Sequence, residues 1–109
     1  MNLHIDDHLE QELGVLKLSG EIDAYTAPQL KDKLLNLVEE KPKVEVDLLK
    51  VSYMDSTGLG VFISALKLSK EKDHEFKLIN LQENVYRLFN ITGLNEVITI
   101  ENTIEGEMS

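Results

Sequence analysis

The sequence predicts a single α/β domain whose mixed sheet begins with an antiparallel hairpin and carries its helices mainly on one face. Two strand-like segments open the chain, strand and helix patterns then alternate, and the segment Lys43 to Leu49 alternates between apolar and acidic residues. Such alternation indicates a sheet with one polar face, because strands covered on both faces read as continuous apolar runs. Right-handed crossovers place successive helices on the same face when each new strand is added in the same direction.

Length and composition limit the classes of protein to which the chain can belong. Its 109 residues fit one domain, and a formal net charge of -9 disfavours direct contact with nucleic acid or an anionic membrane. A basic or mixed protein surface is the more plausible partner. The sequence contains no cysteine, and its first residues lack the basic start and apolar core of a secretory signal. We therefore expect a cytoplasmic protein without disulfides.

The first two segments, Leu3 to Glu10 and Leu13 to Ser19, are predicted to form the antiparallel hairpin. His4 and His8 stand four residues apart, a spacing that could hold a metal on a helix. This segment reads as a strand and offers no third nitrogen or sulfur ligand. The sequence therefore predicts no metal site, and it predicts no cofactor.

An acidic loop and a helix follow the hairpin. The loop covers Gly20 to Tyr25, and Thr26 with Gln29 has the spacing of a capping box at a helix start. Pro42 ends the helix, because the residue before a proline is disfavoured in helical geometry. The apolar positions recur every three or four residues and predict one buried stripe: Ala27, Leu30, Leu34, Leu37 and Val38.

The central part of the chain continues as a strand-like run that ends at Met54, followed by a helix from Leu59 to about Lys70. This helix has two apolar stripes on roughly opposite sides at 100 degrees per residue. We expect it to be sandwiched between the sheet and neighbouring helices, with its first turn the most exposed part. The alternative is that one stripe awaits a partner.

The last third of the chain completes the alternation. We expect a strand over Phe76 to Asn80, a helix over Glu83 to Ile91 and a short strand over Val97 to Ile100. Asn80 and Glu83 have capping-box spacing, and Gly93 is well placed to end the third helix in a left-handed conformation. Residues 101–109 form an acidic tail that we expect to be frayed.

The stretch VSYMDSTGLG, residues 51–60, carries the candidate functional group. It predicts a strand-to-helix turn with the Ser56 hydroxyl at its tip, where backbone N–H groups and the helix dipole favour an oxyanion. A purely structural Ser56 that caps the helix fits the same pattern. Gly58 and Gly60 weigh against that alternative, since each costs about 1 kcal/mol relative to alanine in a helix. They would leave a bare surface beside Ser56 for close approach of another molecule.

Three motifs together resemble one known family. The run Asp55, Ser56, Thr57, Gly58, Leu59, Gly60 is similar to the signature of the anti-sigma factor antagonists, the small bacterial STAS-domain proteins. GEIDAYTAPQL at residues 20–30 and RLFNITGL at residues 87–94 also match, in the order of the family. The resemblance covers nearly the whole chain and implies a STAS fold over residues 1–109. The sequence VSYMDSTGLGVF resembles the general-stress branch of the family more closely than the sporulation branch.

The resemblance implies a phosphorylation-controlled binding protein that is not an enzyme. Family members in their unphosphorylated form bind an anti-sigma factor that is itself a serine kinase, which frees a sigma factor. The kinase inactivates the antagonist by phosphorylating a serine, which corresponds to Ser56, with Thr57 as a possible minor site, and a PP2C-type phosphatase restores it. The implied contact residues are Glu21, Asp23, Asp55, Ser56, Thr57, Gly58, Leu59 and Gly60. For Glu21 and Asp23, simple solvation is the alternative.

Two other functions remain open from the residues alone. A serine at a strand-to-helix turn also describes a hydrolase nucleophile, but the preceding glycine of that pattern is replaced by Met54, and His74 is predicted at the far end of the helix. An anion or nucleotide sensor is the other alternative, because a glycine-containing helix start can hold phosphate. No Walker lysine follows the glycines.

Overall fold

A computed structural model describes residues 2–102. Within these residues the chain forms one mixed sheet and three α-helices. The strands are β1 (Leu3–Leu9), β2 (Leu13–Ile22), β3 (Lys43–Met54), β4 (Glu75–Ile79) and β5 (Thr99–Glu101), and the helices are α1 (Ala27–Glu40), α2 (Ser56–Lys72) and α3 (Glu83–Ile91). A short 3₁₀ turn, Leu94–Glu96, precedes β5.

The strands lie in the sheet in the same order as in the chain. β1 is antiparallel to β2, and β2, β3, β4 and β5 are mutually parallel. Each parallel pair is joined by one helix. The predicted mixed sheet with an N-terminal hairpin is confirmed. The carboxyl ends of β2 and β3 lie side by side at one edge of the sheet, called here the carboxyl edge, and α1 and α2 both begin there.

The sheet has one apolar and one polar face, as the alternation in β3 predicts. Val44 and Val46 are buried toward the helices, whereas Glu45 points to the other face. On that face the Lys77 Nζ lies 2.9 Å from Glu101 Oε1 and 3.6 Å from Glu45 Oε2. The hydrogen bond to Glu101 raises the pKa of Lys77 above its ordinary value of 10.5, and burial opposes this in part. The polar face is therefore held by ion pairs across three strands.

β3 contains two extra residues relative to β2, which changes its alternation before it reaches the carboxyl edge. The register shifts once between Lys17 and Ser19 and again between Gly20 and Glu21. Each bulge moves the next apolar side chain back toward the helices. Leu48, Val51 and Met54 are consequently all buried although they are three residues apart.

The three helices share one face of the sheet through a common core. α1 buries the single stripe predicted for it. α2 packs beside α1, and its Phe62 meets Phe89 of α3 with ring centroids 6.0 Å apart. Both rings are fully buried. The expectation that α2 is sandwiched is confirmed.

Several predicted boundaries are wrong in an informative way. β2 continues to Ile22, through half of the predicted loop, because it pairs with the far end of β3. α2 begins at Ser56 rather than Leu59. Glu101 belongs to β5, where it pairs with Ile79, so the tail cannot begin there. The rest of the expected frayed tail, from residue 103, lies outside the described residues.

The predicted capping box between Asn80 and Glu83 is also wrong, whereas the role of Gly93 is confirmed. Asn80 is buried at φ 61° and its N–H donates to the Glu101 carbonyl at 2.9 Å, so it belongs to the end of β4 rather than to a helix cap. Gln82 precedes α3 instead, without a side-chain cap. Gly93 follows α3 at φ 78°, in the left-handed region.

The carboxyl-terminal half of β3 extends beyond the end of β4. Side chains of α3 and of the segment just before α3 cover the side of β3 that β4 leaves unpaired. Gln82 Nε2 donates to the Leu49 carbonyl at 2.7 Å. Asn84 Nδ2 donates to the Ser52 carbonyl at 2.9 Å. Two side-chain amides thus take the place that a neighbouring strand would occupy, and they fix the start of α3 against β3.

Candidate functional site

Ser56 is the first residue of α2, and its side chain is exposed at the carboxyl edge. The helix start is capped by Asp55, whose Oδ1 accepts hydrogen bonds from the N–H groups of Thr57 at 2.9 Å and Gly58 at 3.3 Å. The hypothesis that Ser56 is the cap is therefore wrong. Its hydroxyl has no hydrogen-bond partner among residues 2–102, so the fold does not need it.

Asp23 closes the turn before α1 with the same kind of hydrogen bonds. Its Oδ1 accepts hydrogen bonds from the N–H groups of Tyr25 at 2.9 Å and Thr26 at 3.0 Å. Asp23 is only 6% exposed, and its Oδ2 is buried without a hydrogen-bond partner in the described part of the chain. The carboxylate is thus turned inward. The structure gives this side chain a role within its own turn. The predicted contact between Asp23 and a partner stays a prediction.

Thr26 does not form the predicted capping box with Gln29. Thr26 has helical backbone geometry and its side chain makes no cap to α1. Its Oγ1 instead accepts a hydrogen bond from the Asp23 N–H at 2.9 Å and donates to the Glu21 carbonyl at 2.9 Å. The sequence spacing fits both arrangements, but in the structure the Thr26 side chain bonds to the turn before α1 and not to the helix. The result is a rigid turn from Glu21 to Thr26.

The two capped turns are joined directly at the carboxyl edge. Ile22 and Met54 are register partners in the parallel sheet, and the Asp55 N–H donates to the Ile22 carbonyl at 3.2 Å. Asp23 and Asp55 are the residues that follow this pair. The structure therefore places the acidic turn and the Ser56 turn next to each other.

Gly58 and Gly60 have different environments, and only one matches the expected bare surface. Gly58 is buried, and a Cβ added to it would lie 2.6 Å from Met54 Cγ and 2.7 Å from Ile22 Cγ2. The interpretation of Gly58 as open surface is wrong, because glycine here permits α2 to approach the strand ends. Leu59 is buried as well. Gly60 is exposed with no atom within 4 Å of an added Cβ, one helical turn after Ser56.

The surface around Ser56 is acidic and contains exposed aromatic side chains. Thr57 is exposed beside Ser56, Asp55 is half-buried, and Glu21 is half-buried. Glu21 pairs in register with Tyr53, whose side chain is 45% exposed. Tyr25, which no sequence pattern marked as a site residue, is 87% exposed on the Asp23 turn. The only signal for it was an aromatic residue inside an acidic loop.

The two alternative functions lack the groups they need at this site. His74 lies beyond the carboxyl-terminal end of α2, and its Nδ1 is 2.8 Å from the Val38 carbonyl, so it cannot act as a base for Ser56 at the other end of the helix. A phosphate bound at the start of α2 would compete with Asp55 for the N–H groups of Thr57 and Gly58. The helix start is occupied by the protein's own carboxylate.

Comparison with known proteins identifies the family that has this topology. A family model described as the STAS domain matches residues 4–106. The chain belongs to the STAS-domain family. Within residues 2–102, this STAS domain has no helix long and apolar enough to cross a membrane. No group of three or more potential metal ligands occurs there either.

Similar proteins place this STAS domain among the anti-sigma factor antagonists. The anti-sigma-B factor antagonist of Listeria monocytogenes is 44% identical, over 100% of this chain and 96% of its own length. The anti-sigma-B factor antagonist of Bacillus subtilis is 43% identical, over 97% of each chain. The crystal structure of an anti-sigma factor antagonist from Mycobacterium paratuberculosis superimposes with a TM-score of 0.84 at 25% identity, covering 98% of this chain and 92% of that one. The family predicted from the three motifs is confirmed.

Proposed function

We propose that this STAS domain is an anti-sigma factor antagonist of the general-stress type. In its unphosphorylated form it binds an anti-sigma factor that is a serine kinase, and this binding frees the sigma factor. Phosphorylation of Ser56 by that kinase ends the interaction, and a PP2C-type phosphatase reverses the modification. Full-length similarity to proteins named anti-sigma-B factor antagonist supports this role.

One observation carries the proposal: the Ser56 hydroxyl is exposed and takes no part in the helix cap. A kinase can therefore phosphorylate it without breaking a hydrogen bond that the fold needs. Thr57 is also exposed, one position after the serine that corresponds to the family's phosphorylated residue. We assign Ser56 as the main acceptor and Thr57 as a minor one.

The position of Asp55 determines how a phosphate on Ser56 would act. A phosphoserine carries about -1.5 to -2 charges, and the nearest helix N–H groups already bind the Asp55 carboxylate. The phosphate is therefore directed outward, where it adds charge and bulk to the contact surface while the fold stays the same. Changing an interaction from almost fully bound to almost fully free takes about 5.5 kcal/mol of differential affinity. Desolvation of a dianion against an unmatched surface supplies energies of that order.

The decisive experiment combines the protein with the anti-sigma kinase of its own organism. With ATP, mass spectrometry should find phosphate on Ser56 in the parent and in Thr57→Ala, and none in Ser56→Ala. Without ATP, titration calorimetry should show tight binding of the parent and of Ser56→Ala, and much weaker binding of Ser56→Asp. Phosphate elsewhere with Ser56 unmodified would contradict the site. Equal affinity of Ser56→Asp and the parent would show that negative charge at residue 56 is not the switch.

A further inference from the structure

Tyr25 has the largest exposed fraction of any large apolar side chain in the described part of the chain. Its ring is 87% exposed, compared with 74% for Ile91 and 55% for Val97. The fold gains nothing from this ring, since it lies outside the core. Tyrosine is enriched among the few interface residues that carry most of the binding free energy.

The backbone of Tyr25 is held rigidly although its side chain is not. Its N–H donates to Asp23 Oδ1 at 2.9 Å, and the Asp23 and Thr26 side chains on either side are buried. The turn is closed again by the bond from Thr26 Oγ1 to the Glu21 carbonyl. Because the backbone is already ordered, binding of the ring costs only the freedom of its two side-chain torsions, which favours affinity. The buried carboxylate of Asp23 thus serves to present Tyr25.

Tyr25 and Ser56 lie close enough for one partner to cover both. Their Cα atoms are at most about 24 Å apart. This limit adds three residue steps from Tyr25 to Ile22, one strand spacing from Ile22 to Met54, and two steps from Met54 to Ser56. A protein interface of standard size covers about 800 Å² on each partner, which corresponds to a patch about 30 Å across. A partner centred between the two capped turns therefore reaches both side chains.

We propose that Tyr25 anchors the anti-sigma kinase by inserting its ring in an apolar pocket of that partner. The kinase contacts Ser56 in the same interface. This inference rests on the proposed function. The pocket carries basic groups at its margin, because Glu21 and Asp55 flank the two turns with negative charge. Tyr25 supplies affinity and Ser56 supplies control, so the two contributions are separable by substitution.

The test compares Tyr25→Ala with Ile91→Ala, a matched loss of an exposed apolar side chain at the end of α3, near the opposite edge of the sheet. Calorimetric titration of the unphosphorylated proteins with the kinase should show about 30-fold weaker binding for Tyr25→Ala. Tyr25→Phe and Ile91→Ala should bind within about threefold of the parent, and denaturant midpoints should be unchanged for all three. Tyr25→Ala with parental affinity, or Tyr25→Phe as weak as Tyr25→Ala, would overturn the ring as the anchor.

A second measurement observes burial of the ring directly. The chain contains no tryptophan, so Tyr25→Trp introduces a single indole at this position and Ile91→Trp provides the control. Adding the kinase should protect the indole of Tyr25→Trp from acrylamide quenching, beyond the summed signals of the separate proteins, and should leave Ile91→Trp unchanged. If calorimetry shows a complex but the indole of Tyr25→Trp stays open to acrylamide quenching, the Tyr25 contact is refuted and the proposed function is not. Absence of any complex with the parent protein would refute the proposed function as well.

Discussion

Asp23 and Asp55 close neighbouring strand-to-helix turns with the same pair of hydrogen bonds, and Asp55 is also the N-cap of α2. Each follows the last residue of a strand, and each uses Oδ1 to accept from the N–H groups two and three residues ahead. The two strand ends are bonded to each other through Asp55 and Ile22. The rigidity of the candidate contact surface therefore comes from two carboxylates, and one of them, Asp55, stands directly before the proposed phosphorylation site.

Substitution of Asp55 should show that the cap belongs to this residue. Asp55→Ala should lower the free energy of unfolding by about 1 kcal/mol, because two helix N–H groups lose their acceptor. Asp55→Asn keeps an oxygen acceptor and should stay within about 0.5 kcal/mol of the parent. Guanidinium chloride unfolding monitored by circular dichroism measures both. Equal losses in the two variants would mean that the charge, rather than the hydrogen bonds, is what stabilises the helix start.

Ser56→Ala should leave stability unchanged, within about 0.5 kcal/mol, because Ser56 occupies the first helical position and does not cap. Thermal and denaturant unfolding of Ser56→Ala and Asp55→Ala, measured side by side, would separate the two positions. A loss of about 1 kcal/mol in Ser56→Ala would contradict the observed cap geometry.

Gly58 and Gly60 should respond in opposite directions to the same substitution. Gly58→Ala places a Cβ within 3 Å of Met54 and Ile22 side chains, and we expect a net loss of about 1–2 kcal/mol from overpacking. Gly60→Ala meets open space and should raise stability by up to about 1 kcal/mol through helix propensity. Each variant is the control for the other within one helix. A stabilising Gly58→Ala would show that α2 can move away from the strand ends without cost.

Lys77 should stabilise the folded protein through the ion pairs on the polar face of the sheet, and this contribution should be lost at high pH. Its pKa is raised above 10.5 in the folded protein, so its contribution is complete below that pH and disappears as pH rises through the folded value. Lys77→Met should lower the free energy of unfolding by at most about 1 kcal/mol at about pH 8, and less at about pH 11.5. Lys67→Met, which removes an exposed lysine outside the ion pairs seen in residues 2–102, is the control. A difference between parent and Lys77→Met that grows with pH would have the wrong sign.

Sequence patterns predicted the order of elements because each strand and helix has its own apolar period. The third helix, Glu83 to Ile91, was predicted at its observed bounds. The motifs also indicated Ser56 and the acidic turn as candidate site residues, and that assignment stays a prediction. They could not decide which side chain caps a helix, since Asp55 and Ser56 both favour that position and only the strand end aligns Asp55 with the N–H groups.

The environments of Gly58 and Tyr25 could not be predicted from the local sequence. Gly58 is buried because Ile22, thirty-six residues earlier in the chain, reaches α2 through the sheet. Tyr25 is exposed because Asp23 and Thr26 turn inward beside it. Both environments depend on how strands that are distant in the sequence pair at the carboxyl edge. The apolar periodicity of a single helix or strand contains no information about that pairing.

The amide contacts along β3 also bear on the solubility of the protein. A long strand whose backbone is unpaired on one side can recruit a strand from another molecule and start aggregation. Here Gln82 and Asn84 occupy carbonyls of Leu49 and Ser52 on the overhanging half of β3. Their side chains therefore protect the unpaired backbone from intermolecular β-pairing, at the end of the strand that leads to Ser56, the proposed phosphorylation site.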